Sequence, residues 1–172
     1  MATEGVQTAP ESELQTLSAT IVAVVIAGVA FGAFLHATGR IESVAGLYGL
    51  EGAANGWLVH LAHSFVAGIG FAILATLVPP ARIAARVGYE EPPAVVLASV
   101  GLGVAYGVVL WAVLVALGVP LWMDAVVGAD RPFPYLHGLS LAGLVLFGAT
   151  FAACFTIVRE YVAVDELEGE RR

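Results

Sequence analysis

The sequence has no lysine, a single cysteine and little charge: Asp, Glu, Lys and Arg make up 12% of its 172 residues, about half the share found in an ordinary soluble domain. The charges it has are clumped. Uncharged stretches of 26 residues (14–39), 30 (52–81), 32 (92–123) and 27 (132–158) together take in 115 of the 172 positions. Each stretch is longer than the roughly 20 apolar residues a helix needs to cross a bilayer. Runs of this kind exclude a soluble enzyme, a nucleic-acid binder and a disordered chain. Cys154 has no second cysteine to pair with, and a thiol deep in an apolar run is ordinarily inert packing. No CxxCH, P-loop, GxSxG or HExxH pattern is present, so neither covalent haem nor the common hydrolytic and nucleotide-binding chemistries have a motif here.

The mean hydropathy is +0.90 and the formal net charge is −7. Excess acid without lysine reads as a protein from a high-salt organism, where net charge keeps a chain dispersed although salt screens each charge within a few ångströms. A GC-rich genome is the alternative source of arginine in place of lysine. Near the start, Glu4, Glu11 and Glu13 stand without a basic residue. That is the wrong charge for a signal peptide, so the first apolar run is expected to stay as a transmembrane helix.

Residues 1–13, which include Pro10, read as a polar disordered tail. Residues 14–159 read as a four-helix transmembrane domain, with helices at about 17–38, 57–78, 94–119 and 135–158. Residues 160–172 read as an acidic cytoplasmic tail. The connection 39–56 reads as a Gly-rich loop, and 81–93 opens with turns suited to a short helix on the membrane surface. All eight prolines fall outside the predicted helices, where proline interrupts no hydrogen-bond ladder. Continuous apolar runs without two-residue alternation exclude a barrel. The expected fold is therefore all-α, a four-helix transmembrane bundle.

Four crossings place both termini and the 79–93 connection on one side, with Arg82, Arg86, Arg159, Arg171 and Arg172; Arg40 and Arg131 fall on the other. The positive-inside bias then makes this a multi-pass cell-membrane protein with both termini cytoplasmic. Tyr48, Trp57, Trp122 and Tyr135 would lie at the outer headgroups, as interfacial aromatics do.

The segment Gly28–Ala37 (GVAFGAFLHA) matches Gly103–Ala112 (GVAYGVVLWA) at six of ten positions. The match points to a tandem repeat of two helical hairpins related by an axis along the membrane normal. It repeats a Gly-x-x-x-Gly pair, Gly28 with Gly32 and Gly103 with Gly107. Such pairs let backbones approach closely, which is how helices associate in lipid. Their repeated position leads to the expectation that helices one and three meet near the bundle axis, or that one of them faces a second copy.

His36, His60, His63 and His137 are the only acid–base or metal-binding candidates in the membrane, since no Asp, Glu, Lys or Arg lies inside a predicted span. All four fall toward the outer end. A ligand reading pairs His63 with His137 or His36 across a haem b, or sets His60 and His63 on a metal with a loop carboxylate such as Glu51 or Asp124. The plainer reading gives them headgroup, water or carbonyl partners. Only His63, roughly 9 Å below Trp57 at 1.5 Å per residue, requires an internal partner. The hydroxyls at Thr76, Ser99, Ser140, Thr150 and Thr156 form no stripe along one helix, which a channel would show.

Three fragments, His60-Leu61-x-x-Ser64-x-x-x-Gly68, Tyr106-Gly107-x-x-x-Trp111 and Pro134-x-x-His137-Gly138, set the chain beside known sequences. In these it resembles small four-helix integral membrane proteins common in haloarchaea, over roughly residues 20–155. The resemblance implies the fold and carries no activity. The expected function is non-enzymatic: self-association, or service as an accessory subunit of a larger membrane complex, in contact with the lipid bilayer and with no nucleic acid. The alternatives are a small haem- or metal-binding redox protein and an oligomeric channel.

Overall fold

In lipid a chain can satisfy its backbone polar groups only internally, and each uncharged stretch accordingly becomes a long helix. The computed structural model describes residues 9–88 and 91–162. Its first span lies in α1 (Ala9–Ala37). A short helix α2 (Ile41–Gly46) leads to the second span, α3 (Ala53–Leu77). After α4 (Pro80–Arg86), the third span runs continuously over Pro92–Val127, and the fourth contains α7 (Gly138–Ile157) and a π-helical turn, Val158–Val162. No strand occurs among the described residues. The chain is an all-α, four-helix multi-pass membrane protein.

Several boundaries differ from those read in the sequence. Ala9 to Glu13, expected in the tail, are already helical; Pro10 falls in the first turn, where its missing N–H leaves nothing unpaired. Residues 1–8 of that expected tail, and 163–172 of the expected acidic tail, lie outside the described residues. The 39–56 connection is a folded element. Gly39, at φ +68°, closes α1 with a Schellman turn in which the Arg40 N–H reaches the Leu35 carbonyl at 2.7 Å. The chain then reverses into α2, which buries Ile41 and Ala45. Gly56 has no side chain to block the Ile41 carbonyl, so α2 rests on the start of α3.

The largest difference is at Pro120, where the third helix was expected to end. It continues instead to Val127 through α5 (Pro92–Leu110), a π-helical stretch Trp111–Gly118, one α turn α6 (Val119–Trp122) and a second π-helical stretch Met123–Val127. The reason is visible in the hydrogen bonds. A proline at 120 has no N–H to offer the carbonyl four residues back, at Ala116. The wider π turns carry the ladder past it, with the Val119 N–H bonding Leu114 O. The freed Ala116 carbonyl takes the Tyr135 N–H of the returning loop at 2.9 Å. At 36 residues this helix is about 50 Å long, against a hydrocarbon core of about 30 Å. Its outer turns therefore rise above the core.

The interior is made of small residues and phenylalanines. Ala19, Ala23 and Ala27 recur every four residues on one face of α1, and Phe147, Phe151 and Phe155 do the same on α7; with Phe71 of α3 they form a single buried cluster. The opposite faces carry large aliphatics with nothing over them, including Val25, Leu58, Val66, Leu77 and Leu97. In water that surface would be untenable for a monomer; in lipid it is the solvent-facing side. The fourth span packs against both the first and the third, and the first packs against the second. The second and third spans approach each other at few points, and long side chains bridge them: the Tyr106 hydroxyl donates to the Ala67 carbonyl at 2.7 Å, with its ring edge-on to Phe71.

Candidate functional site

The repeated glycines are contact points, with partners that differ from the expectation. Helices one and three do not meet through them. A Cβ on Gly28 would press on Ser64 at 3.2 Å, and one on Gly32 would run into the Trp57 ring, so this pair packs on the second span. Gly103 faces the Gly148 carbonyl and Gly107 the Leu144 carbonyl, so the other pair packs on the fourth. Each pair thus holds its helix against the next span along the chain, the same relation in both hairpins. Partners of equivalent position are Ser64 and Gly148; no histidine of the fourth span corresponds to His60.

The four histidines have four separate settings. His60 is 4% exposed. Its Nε2–H donates to the Gly28 carbonyl at 2.9 Å across the α1–α3 contact. Phe31 meets the imidazole edge-on at 4.9 Å between centroids, and Trp57 lies beyond. Ser64, one turn on, is buried and donates to the His60 carbonyl at 2.9 Å. The close approach of Gly28 is what brings a carbonyl within reach of the imidazole. His63, three residues later, is on the exposed side. Its Nε2 is hydrogen-bonded to the Tyr48 hydroxyl at 2.7 Å, which supplies the internal partner the sequence required. Tyr48 packs against Trp122, and the Trp122 indole N–H donates to the Leu47 carbonyl at 2.6 Å. The segment after α2 is thereby clamped between the second and third spans.

His137 is the N-cap of α7, so this helix begins three residues later than expected. Its Nδ1 accepts from the Ser140 N–H at 3.3 Å and from the Ser140 hydroxyl at 2.6 Å. That places the ring proton on Nε2. Tyr135 stacks on the ring at 5.4 Å and an angle of 5°. Burial first, and the nearby Arg40 guanidinium second, hold the imidazole below its ordinary pKa. The His137 carbonyl accepts from the Trp111 indole at 3.1 Å. His36 is exposed at the end of α1, its ring 6.3 Å from Trp57.

Of the rings in the haem pairing of His63 with His137 or His36, His63 and His137 each hydrogen-bond a protein hydroxyl through one nitrogen, and His36 lies against Trp57. Among the described residues no three His, Cys, Asp or Glu side chains gather closely enough to hold a metal ion; His60 and His63 are not joined there by Glu51 or Asp124. At the other end of the bundle, Ser99 and Thr156, which looked scattered in sequence, form a buried chain: Thr156 donates to Ser99 at 2.6 Å, and Ser99 to the Ala152 carbonyl at 3.0 Å. Every buried side-chain nitrogen and oxygen among the described residues has a hydrogen-bond partner.

The sequence reading missed Tyr48 and Trp122 as partners of the histidine end, and the Phe147–Phe151–Phe155 ladder of the core. The four-residue spacing of those phenylalanines was the available signal for the ladder. For Tyr48 none existed, since its contact depends on the fold of α2. Comparison with family models, with curated proteins and with solved structures finds no match.

Proposed function

We propose that the protein acts without catalysis, by associating with a second copy of itself in the cell membrane through its third span, with both chain ends cytoplasmic. The observation that carries this reading is the poor cover of that span. Only 17% of the apolar window of Pro92–Val127 is buried by its own chain, against 33–44% for the other three spans. Its uncovered face runs through Leu97, Gly101, Ala105 and Val109, and a Cβ on Gly101 would have nothing within 4 Å. Two small residues one turn apart, on a face that no other span of the chain uses, form the small-xxx-small pattern by which helix backbones meet in lipid. The orientation rests on the arginines: Arg82, Arg86 and Arg159 lie at the end where the second span finishes and the third begins, and positive charge favours the cytoplasm.

The polar groups within the spans support a non-catalytic role. His60, Ser99, Tyr106 and Thr156 each bond to a neighbouring helix, and Ser64 bonds back to the His60 carbonyl of its own helix. The test is the mass of the protein in nanodiscs. The natural chain is expected as a dimer, and Gly101→Leu with Ala105→Leu as a folded monomer, because a Cβ at 101 has open space around it and Ala105 is exposed. A monomeric natural chain, or a variant that still pairs, contradicts the reading. A monomer that copurifies with a different membrane protein would favour the accessory-subunit role instead.

A further inference from the structure

We infer that the arginine-bearing end of the bundle holds the phosphate headgroup of an anionic membrane lipid, with the acyl chains entering the gap between the second and third spans. A hollow of about 140 Å³ opens there, where the second span ends and the third begins. Its apolar wall is Ala75, Pro79, Val95 and Phe155, and its polar rim is Thr76, Arg159 and Glu160. A second hollow, of about 330 Å³, shares Ala81 and Val95 with the first and has Arg82 on its rim. The two together are an apolar recess with two arginines, Arg82 and Arg159, among its lining residues. They lie between the end of the second span and the start of the third, two spans that hardly touch.

The charges are disposed to receive an anion. The Arg159 guanidinium lies 5.8 Å over the Phe155 ring, which holds it at the mouth of the hollow. Its Nε stands 3.8 Å from a Glu160 carboxylate oxygen, too far for a hydrogen bond. Among the described residues neither the Arg159 nor the Arg82 side chain donates a hydrogen bond, so both forks keep their N–H groups for a ligand. Glu160 works against an anion, and two arginines outweigh one glutamate. A phosphate offers oxygens spaced for a guanidinium fork, and basic recesses between helices at this level take anionic headgroups. A free phosphate ion would satisfy the same forks but would leave the apolar wall uncovered, which is why the lipid is favoured.

The test is native mass spectrometry of the full chain released from nanodiscs of equimolar phosphatidylglycerol and phosphatidylcholine. Retention of phosphatidylglycerol is expected to dominate, on a scale of about fivefold per arginine. Arg82→Gln with Arg159→Gln is expected to erase that preference, while Arg131→Gln, at the opposite end, leaves it intact. Thr76→Trp, which fills the hollow without altering a charge, is expected to lower retention too and covers the case in which the double variant does not fold. Equal retention of the two lipids by the natural chain overturns the inference, as does a preference that survives in both the double variant and Thr76→Trp. Displacement of the lipid by millimolar inorganic phosphate would overturn the lipid assignment in favour of a soluble anion.

Discussion

A side chain at Gly103 would run into the Gly148 carbonyl, and one at Gly148 into that of Gly103; two backbones touch there with no side chain between them. Tyr106, one turn away, joins a different helix through its hydroxyl and the Ala67 carbonyl. The two contacts differ in strength for a physical reason. Unfolded within the membrane, a tyrosine hydroxyl finds other partners, so an interhelical hydrogen bond contributes only about 0.6 kcal/mol on average. Overfilling a packed contact, which forces helices apart, costs about 1–3 kcal/mol. Gly103→Val is therefore expected to destabilise the bundle several times more than Tyr106→Phe, measured by unfolding in mixed micelles. Equal losses would show that polar bonds rather than close packing hold the spans together. At this scale the sequence was informative in a particular way. Residues from the three sequence fragments turn out to join helices: His60 to Gly28, Gly68 to Val24 and Phe151, Tyr106 to Ala67, Trp111 to His137. Their identity could be read from the sequence, but their partners could not, because hydrophobic spans place glycine on every face and periodicity does not say which face meets which helix.

Among the helices, the third and fourth depend on each other at their outer ends. Pro120 denies the Ala116 carbonyl its partner and the Tyr135 N–H supplies one; two residues later His137 caps α7. Replacing Pro120 with Ala restores an N–H that competes for the Ala116 carbonyl. Hydrogen exchange at the Tyr135 amide is expected to speed up while the amide at 120 becomes protected. Unchanged protection at Tyr135 would mean that the loop is held by other contacts. The cap at His137 has a pH dependence of definite sign. Its folded pKa is depressed, so folding favours the neutral ring, and the stabilisation is fully present above the ordinary imidazole value of about 6.5. It is lost as pH falls through the folded pKa, when the protonated Nδ1 no longer accepts from Ser140 and a cation sits at a helix N-terminus. A cap of this kind contributes about 0.5–2 kcal/mol. The bundle is expected to lose stability as pH falls below about 6.5, and His137→Asn, which caps without titrating, is expected to weaken that dependence. A pH profile unchanged in that variant would contradict the assignment. The sequence reading ended the third helix at Pro120 because a proline stops a helix unless something else satisfies the carbonyl four residues back. That something lay fifteen residues ahead, in a loop whose path no local pattern encodes.

For the molecule as a whole, the number and nature of the helices were legible because the membrane imposes them: four long uncharged stretches leave a chain few alternatives. The arrangement was not legible. The repeat predicted that the first and third spans meet through their glycines, or that one of them faces a second copy, whereas each repeated glycine pair packs on the following span, and the fourth span lies against both the first and the third. One consequence of this arrangement is that the third span has the least cover of the four, and on it rests the proposal that the protein pairs with itself. Disulfide cross-linking in native membranes tests that proposal most directly. In a Cys154→Ala background, Gly101→Cys and Ala105→Cys are expected to form covalent dimers on mild oxidation, while Val66→Cys, 70% exposed on the second span, stays monomeric. Monomers at both 101 and 105, or cross-linking at Val66 as readily as at either, would contradict it.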